Sequence, residues 1–147
     1  MADEAREEIW IAAAPERCFA VALDFERYPE WATDVKRIEV LDRDEAGRGS
    51  RVRYEVSALG RTIGYALEYD YGEAPAAFSW TLAQGDMVKG LDGEYRFEPS
   101  GDGTRVRYRL AVDLAIPLPG FVKRLAAGLI AENAMRGLKR YLEARPA

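Results

Sequence analysis

The fold class is decided by residues 93–120, which read GEYRFEPSGDGTRVRYRLAVDLAIPLPG. Apolar and polar side chains alternate over residues 93–97 and again over 106–114, and a period of two is typical of strands with one buried face. The glycine-rich segment 99–104 between them favours a tight hairpin turn. Pro117 and Pro119 end the second strand, and from Leu118 to about Ala144 the composition is helical. We therefore predict a hairpin followed by one long terminal helix.

The same alternation predicts further strands upstream of this hairpin. Its apolar positions are Ile38 and Val40; Val52, Tyr54 and Val56; Ile63, Tyr65, Leu67, Tyr69 and Tyr71; and Phe78, Trp80 and Leu82. Residues 9–11 mark a first strand, Pro15 suits the first turn of a short helix, and Asp24 can cap a second one. The chain thus predicts about seven antiparallel strands, two short helices after the first strand, and a long helix that covers the dry face of the sheet.

Composition restricts the chemistry open to this chain. Its 147 residues suit one domain, and it contains no histidine, which excludes Ser-His-Asp and Cys-His nucleophile pairs and two-His metal sites. We predict no metal and no cofactor. A single cysteine, Cys18, cannot form an internal disulfide bond and favours a reducing cytoplasm. The acidic start without an apolar region predicts no secretory leader, and no apolar run approaches the ~20 residues that span a bilayer.

The charge of the chain bears on its partners. A net charge of −4 argues against nucleic acid as the main partner. The charge is uneven, since residues 117–147 carry six Lys and Arg against two acids. Lys139, Arg140 and Arg145 near the end of the helix have two interpretations: they complement the helix dipole, or they support transient contact with an anionic lipid surface. The sequence leaves the oligomeric state open.

Several short motifs carry a resemblance to a known family. In chain order they are Ala14-Pro15-Glu16, Tyr28-Pro29-Glu30-Trp31, the segment 93–97 with 101–104 and Val106, and the segment 117–120. In this order they resemble the START-like, or Bet v 1-like (SRPBCC), superfamily, and within it the bacterial polyketide cyclase/dehydrase and lipid-transport group. The resemblance implies one α+β ligand-binding domain over residues 1–147 with the helix-grip fold, a curved seven-stranded antiparallel sheet wrapped around the long C-terminal helix. It also implies an apolar cavity between helix and sheet, but fold alone fixes no reaction.

The residues predicted to face inward also favour a cavity. Many are Tyr or Trp, whose O–H and N–H groups need partners when buried, whereas a solid core would prefer aliphatic side chains. Apolar walls with a few polar groups are typical of sites for small molecules. The alternative places the tyrosines at the rim with their hydroxyls in water. Our candidate ligand-binding residues are Trp31, Tyr54, Tyr65, Leu67, Tyr69, Trp80, Tyr95, Phe97, Tyr108, Leu110, Phe121, Leu125 and Leu129.

Two features of this set leave alternatives open. Trp31 is either a lid residue at the mouth of the cavity or a packing contact between helix and sheet. In the terminal helix, Leu118, Val122, Leu125 and Leu129 form one line, while Met135, Leu138 and Leu142 lie nearly opposite. The first line continues through three polar residues, Glu132, Asn133 and Arg136, of which Glu132 and Arg136 form an i,i+4 pair. The pair is either a polar anchor inside the cavity or a solvated pair of negligible energy.

The sequence favours binding or carriage of a small apolar molecule such as a lipid, polyketide or quinone. The strand positions on the apolar face contain no Asp, Glu, Lys or Arg, and a phenol with a pKa near 10 is a poor base at pH 7. We therefore predict no catalytic residue. A polyketide cyclase, aromatase or dehydratase acting on a bound poly-ketone chain is the alternative, and a protein-interaction module using the same groove is a second one.

Overall fold

The computed structural model describes residues 2–58 and 60–145. In chain order, its elements are β1 (Asp3–Ile11), α1 (Pro15–Ala22), a 3₁₀ helix (Phe25–Glu30), β2 (Val35–Arg43), β3 (Gly49–Ala58), β4 (Arg61–Asp70), β5 (Ala77–Gly85), β6 (Val88–Ser100), β7 (Gly103–Leu114) and α2 (Gly120–Glu143). Within the described residues, seven strands form one antiparallel sheet in the order β1-β7-β6-β5-β4-β3-β2. This is the predicted fold class, a curved sheet with a long C-terminal helix.

The sheet owes its shape to hairpins and to breaks in register. Consecutive strands from β2 to β7 are neighbours, and β1 closes the other edge by pairing with β7. Register shifts occur between β2 and β3, between β4 and β5 at Ala66, and between β6 and β7 near Val88. Such bulges increase the local twist and bend the bulged strand. The bent sheet can therefore enclose α2 and leave space beneath it.

The predicted register of the last strand is confirmed. Tyr95 lies opposite Tyr108, and Phe97 lies opposite Val106. Within the alternation over residues 106–114, the apolar positions of β7 that we predict to face the helix are Val106, Tyr108, Leu110 and Val112, and all four are buried. Gly101 takes a φ of 58° at the turn between the two strands, a left-handed conformation that costs glycine little.

The two short helices follow β1 as expected, with one local difference. Pro15 occupies the first turn of α1, where a missing N–H group costs nothing. The second is a 3₁₀ helix with Pro29 inside it, and Asp24 makes no side-chain capping hydrogen bond. Its backbone bonds include Arg27 N–H to the Asp24 carbonyl and Trp31 N–H to the Tyr28 carbonyl, the i to i+3 spacing of a 3₁₀ helix.

The face of α2 that meets the sheet is not the one predicted from its first line of apolar residues. The buried positions are Ala126, Ala127, Ala131, Met135, Gly137, Leu138 and Leu142. Phe121, Leu125 and Leu129 are 59%, 63% and 57% exposed, so their predicted place on the cavity wall is wrong. The physical reason is close packing, because small side chains let the helix backbone approach its neighbours.

The face that α2 turns toward the sheet also decides between the two alternatives for Glu132 and Arg136. Their side chains are 38% and 67% exposed, and they form an ion pair of 2.6 Å on the helix surface. The pair lies in solvent and does not reach the cavity. Among the residues described, no helix combines the length and the apolar character needed to cross a membrane.

Candidate ligand cavity

A cavity of about 150 Å³ lies between the inner face of the sheet, the segment after the 3₁₀ helix, and the middle of α2. Its walls are predominantly apolar, and α2 contributes Ile130, Asn133 and Ala134. Nine of the predicted residues line it: Trp31, Tyr54, Tyr65, Leu67, Tyr69, Trp80, Tyr95, Tyr108 and Leu110. Eight of them lie on strands, where alternation places them on one face, and Trp31 follows the 3₁₀ helix. The curvature of the sheet brings the strand residues around one space.

Four predicted ligand-binding residues lie elsewhere. Phe97 is buried, but it stacks on Tyr95 at 5.6 Å and meets the edge of Phe19 at 6.0 Å, so it belongs to the core beneath α1. Phe121, Leu125 and Leu129 lie on the outer face of α2, and so does the pair of Glu132 and Arg136. The corrected wall of the cavity is therefore made mainly by strands.

Several lining residues are not among the candidate ligand-binding residues named from the sequence. The aromatic and aliphatic ones are Tyr28, Ala32, Val35, Val56, Ile63, Val88, Leu91, Val112, Leu114, Ile130 and Ala134. Val112 and Leu114 continue the alternation of Leu110, and that signal was sufficient to find them. Asn133 continues the first line of α2 and is the one polar residue of that line that lines the cavity. Asp34 gave no signal in the sequence, because it meets Asn133 only in the fold, with Asn133 Nδ2 donating to Asp34 Oδ2 at 3.4 Å.

The polar lining residues mark the mouth of the cavity. Thr33 and Asn133 are exposed, and Asp34 and Ser57 are half-buried beside them. Asp34 is the one charged residue among those that line the cavity in the described ranges. The interior thus carries no formal charge, and ions are confined to the rim.

The tyrosine hydroxyls inside the cavity fall into two groups. Tyr54 and Tyr69 bond to each other at 2.5 Å, and Tyr28 donates to the carbonyl of Ala22. The second group, Tyr65, Tyr95 and Tyr108, lines the same apolar space.

Burial controls the protonation of these phenols. It raises the pKa of Tyr54, Tyr69 and Tyr95 well above the ordinary value of a tyrosine, and it also raises the pKa of Tyr65 and Tyr108. All five are therefore neutral at physiological pH. Neutral phenols with a raised pKa donate hydrogen bonds but are poor general bases.

Trp31 is a buried part of the cavity wall. It is 5% exposed, its ring lies 4.7 Å from that of Tyr28, and Gly137 of α2 packs against its backbone carbonyl. This burial fits the packing interpretation and not an exposed lid. Its Nε1 is buried without a hydrogen-bond partner in the part of the chain that the structure describes.

Metal ligands and the single cysteine are two further features to place relative to the cavity. Among the described residues, no three His, Cys, Asp or Glu side chains are grouped so that they could hold a metal ion. Cys18 is fully buried under β7, and burial raises the pKa of its thiol. The arrangement is suited to holding a molecule by its shape and by a few hydrogen bonds.

Comparisons with known proteins agree with this geometry. The sequence profile of the family described as polyketide cyclase/dehydrase and lipid transport matches residues 3–143. A START superfamily protein from Mycobacterium smegmatis is 27% identical, with 96% of this chain and 97% of that one covered and a TM-score of 0.88. A protein from Thermus thermophilus is 28% identical, with 98% and 99% covered and a TM-score of 0.83.

A curated relative extends the likeness at the level of sequence. It is an uncharacterised protein of Mycobacterium tuberculosis, 28% identical over 143 residues, which are 95% of this chain and 84% of the relative. The family profile covers nearly all of the fold described above, from the start of β1 to the end of α2. The chain belongs to the polyketide cyclase/dehydrase and lipid-transport family, and its architecture is the START-like helix-grip fold.

Proposed function

We propose that this protein binds or carries a small apolar molecule in the cavity between the sheet and α2. The observation that carries the proposal is an apolar chamber walled by aromatic and aliphatic side chains, with the polar residues Asp34 and Asn133 at its rim. Concave apolar sites with a few polar groups are the usual form of small-molecule sites. Membership of a family that includes lipid transport supports the same conclusion.

The size of the chamber restricts its occupant. Its volume of about 150 Å³ is smaller than that of drug-sized sites, which are roughly 300–1,000 Å³. A molecule of one or two rings fits without rearrangement. A longer lipid would require the rim to open.

The lining favours binding over cyclisation of a poly-ketone. Such a reaction needs a base that removes a proton next to a carbonyl, and the base must lie within hydrogen-bond reach of that proton. Burial raises the pKa of Tyr95 and Tyr108, which makes both phenols unsuitable. Asp34 lies at the rim, where its carboxylate accepts a hydrogen bond from Asn133.

The proposal is tested by filling the cavity from the helix side. Ala134 lines the cavity and is only partly buried, so Ala134→Phe adds bulk to the chamber without a large loss of packing. Tetralin, an uncharged bicyclic hydrocarbon, is a suitable probe, and its size predicts a Kd on the order of 0.1 mM. We expect Ala134→Phe to weaken tetralin binding at least about tenfold in a calorimetric or NMR titration, because overfilled space excludes the probe.

Leu129→Phe provides the matched control, because it adds an aromatic ring on the exposed face of the same helix. It should change the affinity for tetralin less than about twofold. Native mass spectrometry of freshly purified protein would reveal a co-purified apolar molecule. The proposal fails if wild-type protein shows no saturable binding, or if both variants bind tetralin as the wild type does.

A further inference from the structure

We propose, on the basis of the binding function proposed above, that the ligand is an uncharged molecule whose acceptor oxygen takes a hydrogen bond from Nε1 of Trp31. A ketone, quinone, ester or ether would meet this description. A free carboxylate or a phosphate would not. The inference makes Trp31 a specificity-determining residue.

The first support is the unpartnered donor itself. Trp31 lines the cavity, its side chain is 5% exposed, and its Nε1 has no partner among the described residues. Buried polar groups are nearly always hydrogen-bonded, since an unmade bond costs the desolvation of the group. An indole N–H only donates, so the missing partner must be an acceptor.

The second support is that the indole ring is held in place. The ring centroids of Trp31 and Tyr28 are 4.7 Å apart at an interplanar angle of 56°, and a Cβ built on Gly137 would lie 3.4 Å from Cε3 of Trp31. Cε3 and Nε1 are attached to opposite ends of the bond shared by the two rings. The ring therefore meets the helix with the end that does not carry the donor. A donor fixed by packing loses little freedom when a ligand arrives.

The third support is the lack of a counter-ion for an anion. No lysine or arginine is among the lining residues in the described ranges, and Asp34 puts a carboxylate at the mouth. Burying an unpaired anion in such a site is costly. Burial in the same environment raises the pKa of Tyr95 and Tyr108, which is the direction expected where a negative charge is poorly solvated.

Further phenol groups line the same cavity, those of Tyr65, Tyr95 and Tyr108. They offer second positions for the oxygens of a ligand with more than one carbonyl. A neutral molecule with acceptor oxygens on an apolar body can therefore form hydrogen bonds with donors in the cavity wall, which a hydrocarbon cannot.

Three probes that share one bicyclic ring system test the inference: tetralin, α-tetralone and tetralin-1-carboxylate. In wild-type protein we expect saturable binding of tetralin and α-tetralone, and at least about tenfold weaker binding of the carboxylate. Trp31→Phe removes the N–H and keeps an aromatic ring. It should weaken α-tetralone about fivefold to tenfold and tetralin less than about twofold, because only the ketone loses a hydrogen bond.

Trp10→Phe is the matched control, since Trp10 lies outside the cavity and its Nε1 donates to the Ser100 carbonyl at 2.9 Å. It should leave all three affinities unchanged and help to assign the indole N–H signals by NMR. A direct readout in wild-type protein does not depend on any variant folding: α-tetralone should move the Trp31 indole N–H resonance downfield, and tetralin should not.

The outcomes separate this inference from the proposed function. Binding of tetralin with no selective loss of α-tetralone in Trp31→Phe overturns the role of Trp31 and leaves the cavity as a binding site. Carboxylate binding as tight as ketone binding overturns the restriction to uncharged ligands. No binding of either neutral probe overturns both proposals together.

Discussion

Gly137 is the residue on which the position of Trp31 depends. A Cβ built on Gly137 would overlap the Trp31 carbonyl oxygen, whereas a Cβ on Gly128, in the same helix, meets nothing within 4 Å. Alanine is a better helix former than glycine by about 1 kcal/mol. Gly128→Ala should therefore raise the free energy of unfolding by about 0.5–1 kcal/mol. Gly137→Ala should lower it by about 1–3 kcal/mol, because the overlap forces the backbones apart.

Urea denaturation of the two alanine variants measures this difference. An equal gain in stability for both would mean that α2 lies farther from Trp31 than the structure places it. The pair also shows why some contacts could not be predicted from the sequence. The sequence around the two glycines does not show that Gly137 packs against another residue while Gly128 has open space beside it. The reason is that Trp31, the partner of Gly137, is more than a hundred positions upstream.

At the scale of the element, strands were more predictable than the long helix. A strand alternates strictly between two faces, so Tyr108 and Leu110 could be assigned to the inner face once the sheet was known to have one wet side. The helix has apolar residues on two faces, and size misled the choice between them. Leu125 and Leu129 are large but exposed, while the small Ala127 and Ala131 are buried. Hydrophobicity alone therefore predicts the wrong residues to be buried, because the helix packs closely against its neighbours through its small side chains.

The observed face of α2 predicts a contrast between two leucines. Leu138 is fully buried and Leu125 is 63% exposed. Leu138→Ala should lower the free energy of unfolding by about 2–5 kcal/mol through lost contacts and a cavity. Leu125→Ala should change it by less than about 0.5 kcal/mol. Thermal and urea unfolding of both variants provide the measurement, and a larger loss for Leu125→Ala would contradict the orientation of the helix.

At the scale of the whole molecule, the chain surrounds its chamber with aromatic rings that contact one another. Trp80 lies 5.5 Å from Tyr95 and 5.7 Å from Tyr108, and those two tyrosines meet edge to face at 4.9 Å. Gly93 makes room for this group, since a Cβ there would lie 2.5 Å from Trp80 Cζ2. The sequence predicts a cavity because buried Tyr and Trp carry O–H and N–H groups that need partners, whereas a solid core would prefer aliphatic side chains. Only the fold sets the volume of that cavity.

The burial of so many phenols makes the stability of the protein dependent on high pH. Burial raises the pKa of Tyr28, Tyr54, Tyr95 and Tyr108 in the folded state, while an unfolded tyrosine titrates near 10. Below pH 10 both states keep their protons, and stability does not depend on these groups. Above it the unfolded chain binds fewer protons, so the free energy of unfolding falls with rising pH.

Each of these four tyrosines contributes a slope of about 1.4 kcal/mol per pH unit, or about 5 kcal/mol per unit for the set. A domain with about 5–15 kcal/mol of stability should therefore unfold cooperatively at about pH 11–13. Tyrosinate absorbance and far-ultraviolet circular dichroism, recorded in one alkaline titration, should show these phenols ionising as the sheet is lost. Ionisation of all the tyrosines near pH 10 with the sheet intact would mean that water reaches the hydroxyls, and the apolar chamber inferred from them would then be wrong.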